Sequence, residues 1–203
     1  MTLSKDEGHP AAGGAEVKAR PGANEAARFD FRLDDAATDE GLAFVETFCA
    51  RFDLRRLAYL KVAPGSGGGR VYGVCRYPDK AARSSLTREF YRISCFVRGP
   101  FPDCVSVRRP PVYRNDDGSW PRLPIDERIY TRGGVETGPP PAKAWMRITA
   151  ITDLEDASEA VVWIAAHEMF HYLRATRQIP GRNTGIEADA FADQTLREFR
   201  DLR

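Results

Sequence analysis

Three residues in one short stretch could do chemistry together: His167, Glu168 and His171, in the order His-Glu-Met-Phe-His. On an α-helix, positions four apart lie on one face. The two imidazoles can therefore aim at one point. Zinc accepts imidazole nitrogens at about 2.0–2.1 Å in a tetrahedral shell. Glu168 is offset by about 100° around the helix axis, which suits a group that touches a metal-bound water rather than the metal. H-E-x-x-H on a helix is the sequence form of a hydrolytic zinc site. The run Val161-Val162-Trp163-Ile164-Ala165-Ala166 just before it is apolar all round, which predicts a buried helix. Burying His, Glu and His on such a segment is costly unless they are paired or bound to metal.

A catalytic zinc keeps three protein ligands and one open position. The only other histidine is His9, in a stretch that reads as a tail, so elimination points to a carboxylate. A second helix is predicted from about Gly185 to Asp201, folded back by the turn around Pro180-Gly181. Its start, Ile186-Glu187-Ala188-Asp189-Ala190-Phe191-Ala192-Asp193, offers Glu187 as third ligand. Thr184-Gly185-Ile186-Glu187 also fits a capping box, in which the glutamate bonds back to the cap residue. Asp189 and Asp193 are further candidates. Either could instead hold a histidine N–H and fix its tautomer, with Asp189 first in line for that role.

His-Glu-Met-Phe-His followed by Glu-Ala-Asp-Ala-Phe-Ala resembles the zincin metallopeptidases of gluzincin type, and is similar in pattern to ImmA/IrrE-type peptidases. The resemblance covers about residues 144–200. It implies an α+β zincin-like fold, a twisted, mostly antiparallel sheet packed on the H-E-x-x-H helix and a C-terminal helix. It implies one Zn(2+) per chain held by His167, His171 and Glu187, with Glu168 as catalytic base on a zinc-activated water. The aspartate that thermolysin-like enzymes carry four positions after the third ligand is Phe191 here, so that branch's pattern is not met. In zincins an edge strand beside the active-site helix binds peptide; residues 144–151 are the natural candidate, with Trp145, Arg147 and Thr149 on one side. No histidine is left to steady an oxyanion, so Tyr172 or Tyr130 would serve. The partner implied is a protein or peptide substrate.

The elements that must position these groups are legible by periodicity. Residues 144–151 alternate as a strand, and Asp156 or Ser158 can cap the helix that follows, over about 160–176. Upstream, Thr38 or Asp39 can cap a helix over 40–52, with Leu42, Val45, Phe48 and Cys49 on one face. Strands are predicted over 55–62, 70–77, 89–97 and 104–107. Pro64-Gly65-Ser66-Gly67-Gly68-Gly69 lacks the Gly-Lys-Ser/Thr ending of a phosphate loop and reads as a hairpin turn. Residues 110–143, rich in proline and glycine, read as a long irregular region with a short strand at Ile129-Tyr130-Thr131. Residues 1–27 read as a disordered tail and 28–203 as a single domain.

Composition sets the outer bounds. The net charge of +1 exerts no strong pull on nucleic acid or anionic membrane. No apolar run is long enough to span a bilayer and no secretory leader is visible, so a cytoplasmic protein with no membrane partner is expected. Cys49, Cys75, Cys95 and Cys104 form no C-x-x-C pair and read as small core residues in a reducing compartment. A competing reading rests on Arg88, Arg92, Arg98, Arg108, Arg109 and Arg114 with Phe90, Tyr91 and Phe96. A catalytically silent zincin-like domain could use them as a protein- or nucleic-acid-binding surface. Retention of Glu168, which a purely structural metal site would not need, favours the enzyme.

Overall fold

The computed structural model describes residues 28–33, 36–65, 70–122, 129–137 and 144–203, with backbone only for 36 and 129–137. Eleven elements follow one another: β1 (Arg28–Phe31), α1 (Ala36–Cys49), β2 (Leu57–Pro64), β3 (Val71–Arg76), α2 (Ser85–Glu89), β4 (Tyr91–Val97), β5 (Asp103–Tyr113), β6 (Ile129–Thr137), β7 (Ala144–Leu154), α3 (Ala157–Ala175) and α4 (Gly185–Asp201). The class is α+β.

The strands form two sheets, ordered β1-β2-β4-β3 and β5-β7-β6. The first is mixed: β1, β2 and β4 run parallel, and β3 closes one edge antiparallel to β4. The second is antiparallel throughout. A single mostly antiparallel sheet is thus corrected to two, and the sheet that α3 packs on is largely parallel. The reason lies in α1, which connects β1 to β2 as a crossover; parallel strands need such a connection, and a tight turn cannot supply it. The glycine-rich stretch is likewise no hairpin: β2 and β3 both pair with β4, which lies between them. Residues 66–69 themselves, and the predicted tail 1–27, lie outside the described residues.

Helix α3 is the centre of the molecule. Its N-cap Asp156 accepts from the Glu159 N–H, satisfying one of the free donors of the first turn. Val161, Val162, Ala165, Met169, Tyr172 and Leu173 are fully buried. α3 packs against β3, β4, α1 and α4. Leu60 and Val62 of β2, Ile93 and Cys95 of β4, Val45 and Phe48 of α1, and Leu196 and Phe199 of α4 complete the core. An apolar helix of this kind is stabilised by burial on several sides at once, at roughly 25 cal/mol per Å² removed from water.

Local details differ from the sequence reading. Helix α1 starts at Ala36, so Thr38 and Asp39 sit in its first turn and do not cap it. β1 and α2 were not foreseen: β1 is a four-residue strand and α2 a five-residue helix, both too short to show a period. The region 110–143 is less irregular than its prolines suggest, since β5 runs to Tyr113 and β6 covers 129–137. Pro110 and Pro111 fall in a register break of the β5–β7 ladder between Arg109 and Val112, and β5 is an edge strand. Those are positions where a missing N–H is tolerated.

The α1–α3 contact depends on a glycine. Gly41 N–H donates to Ser158 Oγ at 3.1 Å, and Ser158 Oγ–H donates to Ala37 O at 2.7 Å. A Cβ on Gly41 would come within 2.6 Å of the Ser158 carbonyl oxygen. Gly41→Ala is expected to destabilise the fold by about 1–3 kcal/mol, the usual cost of overpacking, read as a lower urea midpoint at unchanged slope.

Candidate metal centre

His167 and His171 lie on one face of α3, their ring centroids 5.2 Å apart and their planes at 70°. Each imidazole is held at its Nδ1. His167 Nδ1 lies 3.0 Å from Asp189 Oδ1, an ion-pair approach that is not an aligned hydrogen bond. His171 Nδ1 lies 2.6 Å from Asn183 Oδ1. A proton on His171 Nδ1, directed at Asn183 Oδ1, would leave Nε2 with its lone pair, the form in which imidazole binds a metal. Burial holds the His171 pKa below its ordinary value, against the raising effect of the Asn183 bond.

Asp189, 2% exposed, joins three elements. Its Oδ2 accepts from the Arg108 main-chain N–H at 2.8 Å and from Arg108 Nε at 3.1 Å. Burial works to raise its pKa, but the contacts from His167 and Arg108 outweigh it and the carboxyl sits below the usual range. Asp189 of α4 therefore ties α3 to β5. Asn183 does the corresponding work for His171, and its Nδ2 donates to Tyr77 Oη at 2.6 Å. Asn183 and Tyr77 were missed from sequence: Asn183 sits in the turn before α4, where asparagine is ordinarily a turn residue.

Glu168 is 5% exposed and lies against β3. A Cβ at Gly73 would come within 2.6 Å of Glu168 Cγ, so only glycine leaves room for this side chain. Burial pushes the Glu168 pKa up, with neighbouring His167 and the Cys75 main chain opposing. β3 is the end strand of its sheet, so no strand among the described residues pairs with its edge beside Glu168.

Glu187 is placed differently. Thr184 caps α4, accepting from the Glu187 N–H at 3.3 Å. The Glu187 carboxylate folds over Gly181, whose φ of 111° and missing Cβ make room for it, and its Oε2 is buried with no hydrogen-bond partner. Among the described residues no three His, Cys, Asp or Glu side chains are gathered closely enough to hold a metal. His167, His171 and Glu187 are thus not assembled into one shell in this structure. The donor chemistry nevertheless suits zinc: two imidazoles oriented through Nδ1, and an orphaned carboxylate oxygen at the start of the next helix.

Several expected roles are corrected. Tyr172 is fully buried and its hydroxyl donates to the Asp53 main-chain oxygen at 2.7 Å, so it has no proton to offer an oxyanion at the site. Tyr130 lies on β6, which β7 separates from β5, the strand that α4 packs on; its side chain lies outside the described residues. Trp145, Arg147 and Thr149 stand on β7, the middle strand of its sheet. Both its edges are taken, by β5 and β6, so it cannot accept a peptide. The sequence reading placed the open edge on the strand next in sequence to α3; the free edge beside Glu168 belongs to β3. Asp193 is occupied structurally, accepting from Trp163 Nε1 at 2.9 Å and Thr152 Oγ1 at 2.8 Å, with Arg109 Nη1 at 3.0 Å. Of the basic middle segment, Arg88, Arg108 and Arg109 are ion-paired with Glu89, Asp189 and Asp193.

A cleft of about 400 Å³ opens beside His167, between the start of β3 and the edge of β5. No helix among the described residues is long and apolar enough to cross a membrane. Comparison of the chain with protein-family models, curated proteins and solved structures finds no match.

Two outcomes follow from this geometry. Asn183→Ala frees His171 Nδ1 and should weaken zinc binding by about 10–100-fold, measured by competition with a chelating dye, with the far-ultraviolet spectrum unchanged. The four cysteines should also separate by reactivity. Burial pushes the Cys49 and Cys75 thiols up to about 12 and Cys95 well above its ordinary value, whereas Cys104 is exposed. Iodoacetamide at about pH 8 reacts with the thiolate, so mass spectrometry of the native protein should find Cys104 alkylated and the other three only after unfolding.

Proposed function

We propose that this chain is a zinc-dependent peptidase. The observation that carries the reading is the α3 cluster itself: two imidazoles on one face, each with an oxygen beside its Nδ1, and a buried carboxylate next to them against a strand edge that no described strand pairs with. His167 and His171 would hold one zinc per chain. Glu187, whose buried Oε2 has no partner, is the carboxylate that would complete the set. When bound, zinc supplies a fixed positive charge that makes water nucleophilic near neutral pH and polarises a carbonyl.

The chain's own residues do the rest. Glu168, with its pKa raised by burial, takes a proton from the attacking water and hands it to the leaving amine. Asp189 and Asn183 keep the imidazoles in one orientation. The open edge of β3 offers main-chain donors and acceptors to a peptide in extended form, which lies antiparallel or parallel to it as an added strand. Four free thiols fit a reducing compartment such as the cytoplasm.

Glu168→Gln is expected to lower peptide hydrolysis by at least about 10²-fold while zinc content stays stoichiometric. His167→Ala should lose both zinc and activity. Wild-type rates in Glu168→Gln, or a wild-type protein that takes up no zinc, would defeat the reading. Metal analysis of Glu187→Ala then decides the third ligand: loss of zinc assigns it, full retention removes it.

A further inference from the structure

The cleft beside His167 has an unusual distribution of charge. Its walls are Arg70 and Val71 at the start of β3 and Asp103 to Arg108 on β5; Trp163 and His167 of α3 and Asp189 of α4 line its base. Two ion pairs face it. In each the guanidinium is the more exposed member and the acid the less exposed one. Arg108 is 60% exposed while Asp189 is 2% exposed. Arg70 is 51% exposed while Asp103, 3.5 Å away, is 18% exposed. A pair buried in this lopsided way neutralises the fold's interior yet presents its positive end to whatever enters, because field from the exposed charge reaches the cleft with less intervening protein. The arrangement is also anchored. The Arg108 main-chain N–H and Nε both hold Asp189 Oδ2, and the guanidinium tip lies over Gly185, where a Cβ would come within 2.2 Å of Nη2.

Both walls are end strands of their sheets, β3 of one and β5 of the other. A peptide added to the β3 edge alternates its side chains between the two faces of the sheet, so it can turn one of them toward β5. A basic side chain there would meet two guanidinium groups that are each more exposed than the acid they pair with. An acidic group would meet two planar donors suited to a carboxylate.

We infer that this cleft is a carboxylate subsite: it selects peptides that present an acidic side chain or a free C-terminus near the bond to be cut, recognised by Arg108 and Arg70. The inference rests on the peptidase reading for its catalytic consequence, but binding can be measured without turnover. The probe is a set of N-terminally blocked synthetic decapeptides with and without internal Asp or Glu, each as free acid and as C-terminal amide, incubated with the zinc-loaded full chain and read by mass spectrometry. Preference for internal acids in both arms supports the subsite with a side-chain carboxylate. Preference confined to the free-acid arm supports it with the chain terminus. Arg70→Gln and Arg108→Gln should each reduce the preference by about three- to tenfold, and Arg70→Gln does so without touching a residue that holds His167. Equal cleavage of acidic and neutral peptides, or a preference unchanged in both variants, overturns the subsite and leaves the peptidase standing. Absence of any cleavage by the zinc-loaded wild type counts against the peptidase instead. The subsite is then decided by fluorescence anisotropy of an acidic and a neutral decapeptide on Glu168→Gln. Tighter binding of the acidic one, weakened by salt, supports it, and equal binding sinks it.

Discussion

A helix surrounded by protein must find a partner for every polar group it carries, and α3 carries three such groups in five residues. The apolar contacts of Val161, Val162, Ala165 and Met169 draw the helix into the interior. Once there, Glu168 is shut off from water, while His167 and His171 stay partly exposed. A neighbour stands beside each group: Asp189 beside His167, Asn183 beside His171, and β3 beside Glu168. Each partner comes from a different element, so satisfying the helix also fixes where α4, the turn before it and β3 lie. An unpaired polar group at this depth costs about 1–3 kcal/mol, which is ample reason for the surrounding elements to be held in place.

The same partners determine what the site can do. An oxygen stands beside Nδ1 of each imidazole, Asp189 Oδ1 at His167 and Asn183 Oδ1 at His171. Glu168 is not gathered with them as a third donor; it is kept against Gly73, where its raised affinity for a proton matters more than its charge. Asp189 serves two neighbours at once, accepting from Arg108 with one oxygen and meeting His167 with the other. The imidazole orientation and the cleft wall on β5 are therefore set by one carboxylate.

Much of this was legible in the residues. His167, Glu168 and His171 were readable because helix spacing is local and fixed, and the apolar run before them announced burial. The strands β2, β3, β4 and β7 and the helices α3 and α4 carry clear periods. What stayed hidden depended on partners far away in the chain. Nothing in Val71–Arg76 says that it ends a sheet, and nothing in Ala144–Leu154 says that strands flank it on both sides; edge and centre are properties of the neighbours. Trp145, Arg147 and Thr149 were misplaced for that reason. Tyr172 was misjudged because its acceptor, the Asp53 carbonyl, lies 119 residues away. Asn183 and Tyr77 carry no pattern at all, since an asparagine in a turn and a tyrosine at a strand end are both ordinary.

The strand order has a consequence for how the molecule is made. β3 leaves the ribosome before β4, yet β4 is its sole partner among the described strands. Until residue 97 has emerged, Val71–Arg76 has nothing to pair with, and Gly73 has no helix to receive until Glu168 follows some ninety positions later. A wall assembled this late from such distant pieces is slow to form, because loop-closure entropy is lost before the contacts that offset it exist. Nascent chains should then keep this strand exposed until β4 emerges, a segment where a holding chaperone would find its grip.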